Sequence, residues 1–153
     1  MSVSIKVTNP EKDMGFLVRK FGDFSLVFEM QVFGFARMMS DDYQGGLWEW
    51  CESDCGGWYM RPDKPEAEFV VTSPNGAVET VSADAFGIIV CMMTFSHMSC
   101  DIYGRLRHED GKIVDEDKPL HNFMTQLADS CYDLGRFYGN NHPEAAKIAK
   151  ILD

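Results

Sequence analysis

"YQGGLWEWCESDCGGWYMRP", residues 43–62, holds all three tryptophans of the chain, two double glycines and two cysteines. From Leu47 to Glu52 the side chains alternate, sending Trp48 and Trp50 to one face and Leu47, Glu49 and Cys51 to the other. "ESDCGG" supplies turn residues, and an extended pattern resumes from Trp58 to Arg61 until Pro62 ends it. Double glycines suit places where the backbone takes positive φ or passes close to a neighbour. The stretch reads as a tight β-hairpin whose tryptophans fill a packed face and whose tip is left for contact.

The same reading extends outward. "EFVVTS", "PNG" and "AVETVS" form a second hairpin, with Asn75-Gly76 suited to a type I′ turn. Two adjacent hairpins predict an antiparallel meander of about four strands. Before them, Phe21 to Met39 is apolar nearly all round and reads as a mostly buried helix with Asp23 as N-cap; Leu26 to Val32 also alternates as a strand would. After them, Ser82 reads as the N-cap of a central apolar helix from Ala83 to about Met98, with Asp84 in its first turn, where the helix dipole favours negative charge. Leu120, Met124, Leu127, Cys131, Leu134 and Tyr138 then recur on one helix face, which Gly139 ends, and "PEAAKIAKIL" makes a last short helix. The expected class is α+β, a single compact domain over residues 1–153 in which the small meander packs with several helices.

A chain of 153 residues with 45% hydrophobic content can bury one sizeable core. The apolar run Phe86–Phe95 is too short to span a bilayer and the N-terminus lacks a signal-like stretch, so a cytoplasmic protein without a membrane partner is expected. Five cysteines, an odd number, read as reduced thiols. The net charge of −10 disfavours direct nucleic-acid binding. The densest acid, Asp101, Glu109, Asp110, Asp115, Glu116 and Asp117, is interleaved with Arg105, Arg107, Lys112 and Lys118. A phosphate mimic needs regular, uncompensated carboxylates, so the run reads as solvated loop.

Few constellations carry chemistry. Cys51-x-x-x-Cys55 lacks a second paired ligand element, and Cys91 sits inside the buried helix, where cysteine acts as a small hydrophobe. Cys100 and His97 add no metal-ligand spacing. No G-x-S-x-G, P-loop or G-x-G-x-x-G is present. No cofactor, metal or catalytic residue is expected, and the residues alone describe a small acidic protein that acts by contact.

"FARMMSDDYQGGLWEWCESDCGGWYMRP" followed by "VSADAFGIIVCMMTFSHMS" resembles the ArdB/KlcA family of antirestriction proteins, over about the middle half of the chain. The resemblance rests on Tyr43, Gly45, Gly46, Trp48, Gly56, Gly57, Tyr59, Met60 and Pro62, then Ser82, Ala83, Asp84 and Gly87. It implies a protein of plasmids and other mobile elements that protects incoming DNA from type I restriction endonucleases, with a compact mixed fold and no catalytic centre. The partner it implies is the host type I restriction-modification machinery or an associated host protein. Most signature residues have structural reasons, in turn geometry, capping and burial. The solvent-capable ones, Tyr43, Glu49, Glu52, Asp54 and Arg61, are the candidate partner contacts. Two mechanisms are open: inhibition by protein contact, or DNA mimicry in the enzyme's DNA channel.

Overall fold

A computed structural model describes residues 4–9 and 12–153. Strand β1 (Ile5–Thr8) leads to helix α1 (Phe16–Phe21), a 3-10 turn (Gly22–Phe24) and helix α2 (Ser25–Met39). Strands β2 (Trp48–Ser53) and β3 (Trp58–Pro62) form the first hairpin, and β4 (Glu68–Thr72) and β5 (Val78–Ser82) the second. Helix α3 (Ala83–Arg105) follows, then the two-residue strands β6 (His108–Glu109) and β7 (Lys112–Ile113), helix α4 (Lys118–Asn141) and helix α5 (Ala145–Leu152). The class is α+β, as the sequence led us to expect.

Both hairpins form, but not one meander. The first pairs with β1 in a three-stranded antiparallel sheet ordered β1-β2-β3, while β4 and β5 pair only with each other. The reason lies at the outer edge of β3. There the backbone N–H of Met60 points to Cys91 Sγ of α3 at 3.2 Å. The α3 backbone lies so close that a Cβ on Gly87 would stand 2.2 Å from Met60 O. A helix therefore covers the edge where another strand would have paired.

The two hairpins share one turn geometry. Gly56 N–H donates to Ser53 O and Gly76 N–H to Ser73 O, and each glycine has positive φ, 110° and 91°. Ser53 N–H closes the first loop on Gly57 O at 2.8 Å and Ser73 N–H the second on Ala77 O at 2.8 Å. These are three-residue loops, a type I turn followed by one left-handed residue. The expected type I′ turn at Asn75-Gly76 is thus corrected, because Pro74 fixes the negative φ of the turn's first central residue and leaves only Gly76 left-handed. Gly57 is needed for a different reason: its φ is not positive, but a Cβ there would meet Phe137 Cβ at 2.9 Å.

The helices differ from expectation mainly at their ends. Asp23 is not an N-cap, because Gly22 at φ 54° breaks the segment and α2 starts only at Ser25, after Phe24, with no side-chain cap. Ser82 does cap α3, accepting from Ala85 N–H at 3.1 Å. That helix runs past Met98 to Arg105; it is long and apolar enough to cross a membrane, yet 61% of its most apolar window is buried inside the fold. Gly139 does not end α4, which continues to Asn141. The buried face of α4 is Phe123, Leu127, Ser130, Leu134 and Phe137, so the expected stripe lies at its flank except for Leu127 and Leu134.

The sheet has two unlike faces. Trp48, Trp50 and Trp58 lie on the face turned toward α1 and α2, where Phe16 stacks on Trp50 at 5.1 Å and Trp58 meets Phe21, Phe28 and Phe95. Such ring pairs add about 0.5–1.5 kcal/mol each beyond their area. The other face carries Glu49, Cys51, Tyr59 and Arg61, in register as Glu49 opposite Arg61 and Cys51 opposite Tyr59. Cys51, expected on the face away from the tryptophans, is there but fully buried.

Replacing Gly87 with alanine is expected to destabilise the protein by about 2–4 kcal/mol, since backbone must move to admit the methyl group. Gly104→Ala, in open space on the same helix, should instead stabilise it by roughly 0.5–1 kcal/mol. Urea unfolding measures both, and equal stability of the two variants contradicts the close packing of α3 on β3.

Candidate functional site

Helix α3 begins directly behind β5, and its capped first turn aims Asp84 at the polar face of the sheet. Three donors converge on that carboxylate. Tyr59 Oη donates to Oδ1 at 2.7 Å, Arg61 Nη1 to Oδ1 at 2.6 Å, and His142 Nε2 meets Oδ2 at 2.7 Å. Arg61 Nε also binds Glu49 Oε2 at 2.7 Å, so one guanidinium joins the sheet to the helix. The register explains the convergence: Tyr59 and Arg61 are two apart on β3 and share a face, with Glu49 opposite Arg61.

His142 follows α4 and its orientation is fixed on both sides. Its Nδ1 accepts from Glu144 N–H at 3.0 Å, which leaves Nε2 to donate to Asp84. Glu144 in turn accepts from Ser82 N–H at 3.0 Å and from the Ser82 hydroxyl. The cap of α3, the end of α4 and the start of α5 are thus held at one junction, lining a shallow cleft with Ile5, Val7 and Phe137.

The electrostatics favour a fixed carboxylate. Burial opposes ionisation of Asp84, but hydrogen bonds from His142, Tyr59 and Arg61 outweigh it and hold the group at about 2. Burial first, then Cys51 and the Asp84 carboxylate, pushes the Tyr59 phenol upward. Burial likewise pushes the Cys51 thiol up to about 12, so it is protonated and unreactive at neutral pH. Cys91, pushed up to about 12 by burial, is equally inert. No group of three or more His, Cys, Asp or Glu side chains suited to a metal occurs among the described residues. Every polar side chain at the junction is engaged with another, an arrangement that fixes geometry rather than presenting a free nucleophile or base.

The structure separates the five candidate contacts. Glu49 and Arg61 meet at the Asp84 junction. Glu52 lies on the tryptophan face and pairs with Lys20 of α1 at 3.4 Å. Asp54, at the hairpin tip, accepts from Ser4 N–H at 3.1 Å, tying the tip to the chain before β1. Tyr43 is only 8% exposed and accepts from Trp48 Nε1 at 3.0 Å, so it is a core residue rather than a solvent-facing one. Gly45 and Gly46, at φ 86° and 109°, turn the chain between Tyr43 and Trp48. Met60, Pro62 and Ala83 are buried. Among the signature residues, Tyr59, Asp84 and Ser82 belong to the junction. His142 and Glu144 were not singled out by sequence as junction residues; a histidine beside Pro143 carries no periodic signal that ties it to a residue 58 positions away.

The Asp84 carboxyl is held below its unfolded value of 3.8, so it stabilises the fold above that pH and the contribution is lost as pH falls toward about 2. Asp84→Asn is expected to cost about 2 kcal/mol at pH 7 and to flatten the loss of stability between pH 4 and 2. Chemical denaturation across that range tests it; a variant as stable and as acid-sensitive as the parent would refute the role.

Comparison with known proteins supplies the family. The antirestriction protein family matches residues 41–153. The antirestriction protein KlcA of Escherichia coli is 27% identical over 128 residues, covering 82% of this chain and 76% of its own. The uncharacterised YfjX of Escherichia coli strain K12 is 25% identical over 155 residues, covering 99% and 88%. A solved structure, reported for KlcA and ArdB as a novel fold with antirestriction activity against Type I DNA restriction systems in vivo but not in vitro, aligns with TM-score 0.76. It is 25% identical over 100% of this chain and 96% of its own. The match runs from the approach to the first hairpin, through the capped helix and the Asp84 junction, to the last residue: this chain belongs to the ArdB/KlcA family of antirestriction proteins.

Proposed function

We propose that the protein protects unmodified incoming DNA in the bacterial cytoplasm by hindering type I restriction through contact with the restriction machinery or a host protein acting with it. It works without catalysis and without standing in for DNA. The observation that carries this reading is the use made of the acid. Asp115 accepts from Arg107 N–H and Asp117 N–H, and Asp117 caps α4 by accepting from Leu120 N–H. Asp101 pairs with Arg105, Glu79 with Lys150, and Glu49 and Asp84 with Arg61. Carboxylates spent on caps, turns and neighbouring cations do not form the open, regular array that a phosphate backbone presents.

The relatives support the same direction. Activity in vivo but not in vitro, reported for KlcA and ArdB, fits an inhibitor that needs a further cellular component. A mimic that fills the DNA channel would compete with DNA between purified components, and added salt would weaken it steeply.

The test is transformation of a type I restricting host with unmodified and modified DNA, with and without this gene. Protection of unmodified DNA alone is expected. Asp115→Asn, Glu116→Gln and Asp117→Asn together should leave protection within a few-fold of the parent, because asparagine caps a helix about as well as aspartate. A triple variant that stays folded by circular dichroism but no longer protects would favour mimicry.

A further inference from the structure

The polar face of the sheet is internally satisfied; the opposite side of the molecule is not. Between α1, α2 and the segment entering β2 lies a groove of about 320 Å³, floored by Trp48, Trp50 and Met60. Its rim is apolar and open to solvent: Met14 is 83% exposed, Leu26 and Leu47 66% each, and Val18 56%. Met30 and Met38 are also exposed on α2 but belong to a separate cleft, lined with them by Pro74, Met93 and His97. A monomer surface does not usually expose so many large apolar side chains together, and methionine suits a surface that must adapt to a partner.

Two polar groups in this groove have unmet partners. Glu29 of α2 is half-buried among the apolar side chains, with no hydrogen bond or ion pair among the described residues, and burial alone shifts its carboxyl upward. Trp50 is 4% exposed, and its indole Nε1 is the one buried side-chain polar atom without a hydrogen-bond partner among the described residues. Lys64 lies over Gly46, one of the groove's lining residues, and no ion pair to Glu29 occurs among the described residues.

We propose that this groove docks a basic amphipathic helix of a partner protein, which seats apolar side chains between Leu26 and Leu47 and places a lysine or arginine on Glu29. The assignment rests on the contact reading of function above and names its surface. Charge complementarity selects the partner: a half-buried carboxylate that lacks a cation is neutralised by an incoming one, and a chain of net charge −10 draws basic segments. A second copy of this chain meeting the same face would bring another uncompensated carboxylate instead of a cation. Helix-in-groove recognition uses this combination of apolar anchors and a flanking charge.

The test uses the full protein and a synthetic amphipathic helical peptide of leucine and lysine, about 18 residues long, with a leucine/glutamate peptide as its counterpart. Binding is followed by tryptophan fluorescence at physiological salt. The leucine/lysine peptide should bind saturably and its counterpart should not. Glu29→Gln should weaken binding about ten-fold, and Leu26→Ser with Leu47→Ser should abolish it. Both leucines are exposed, so the fold should survive, and in the restricting host that double variant should lose protection. The proposal is overturned if neither peptide binds, or if binding ignores the groove substitutions and so reports only attraction to an acidic protein. It is also overturned if the parent sediments with phosphatidylcholine vesicles, or if it dimerises through this face. A parent that fails to protect defeats the antirestriction reading itself, whereas equal protection by parent and double variant defeats only the groove.

Discussion

A Cβ at residue 87 would stand 2.2 Å from Met60 O and 2.7 Å from Arg61 Cα, and much of the molecule is arranged around the fact that glycine has none. Asp84, Gly87, Cys91 and Thr94 follow one another at three- and four-residue spacing, so small side chains line the face of α3 turned to β3. Contact at this distance lets Cys91 cover the Met60 N–H and closes the sheet without another strand. It also brings Asp84 within hydrogen-bond reach of both Tyr59 and Arg61. A larger residue at 87 would push the helix outward and separate these groups together.

That contact explains what the sequence could and could not disclose. Turn chemistry is local, so both hairpins were visible in their glycines, the Ser82 cap was visible in its spacing, and the α+β class followed. Which edges pair is not local. β1 carries no strong strand signal, and its place beside β2 depends on residues some 45 positions away, such as Cys51 opposite Val7. The second hairpin was free to extend the sheet until α3 occupied the edge. Even the local signal at Asn75-Gly76 was overridden by its neighbour Pro74, whose ring fixes the turn type before the asparagine can act.

The site was legible in pieces. Glu49 and Arg61 were marked as polar residues beside the hairpin, and Asp84 as a helix-start carboxylate, each for a reason that held only within its own element. Period-two alternation on β3 already placed Tyr59 beside Arg61, and this was the available clue to a shared face. Nothing in the residues around His142 points to Asp84, because the ring arrives through the packing of α4 along α3. Tyr43 misled for the same reason. A tyrosine in a polar turn looks solvent-facing until the double glycine folds it back onto Trp48.

The two faces of the small sheet then divide structure from interaction by one criterion, whether their polar groups are satisfied. On the Arg61 face the donors and acceptors around Asp84 are matched within the chain, and a matched network in a low-dielectric setting rigidifies the fold while offering little to a partner. On the tryptophan face the aromatic floor is equally well packed, yet beneath an exposed apolar rim Glu29 and the Trp50 indole have no partner among the described residues. Unmatched groups reduce the stability of the isolated protein; the Trp50 nitrogen is sealed inside, whereas the half-buried Glu29 is within reach of an incoming cation. Part of the chain's acidity is used internally, in caps and ion pairs such as Asp117 and Asp84, whereas at the groove Glu29 has no cation among the described residues.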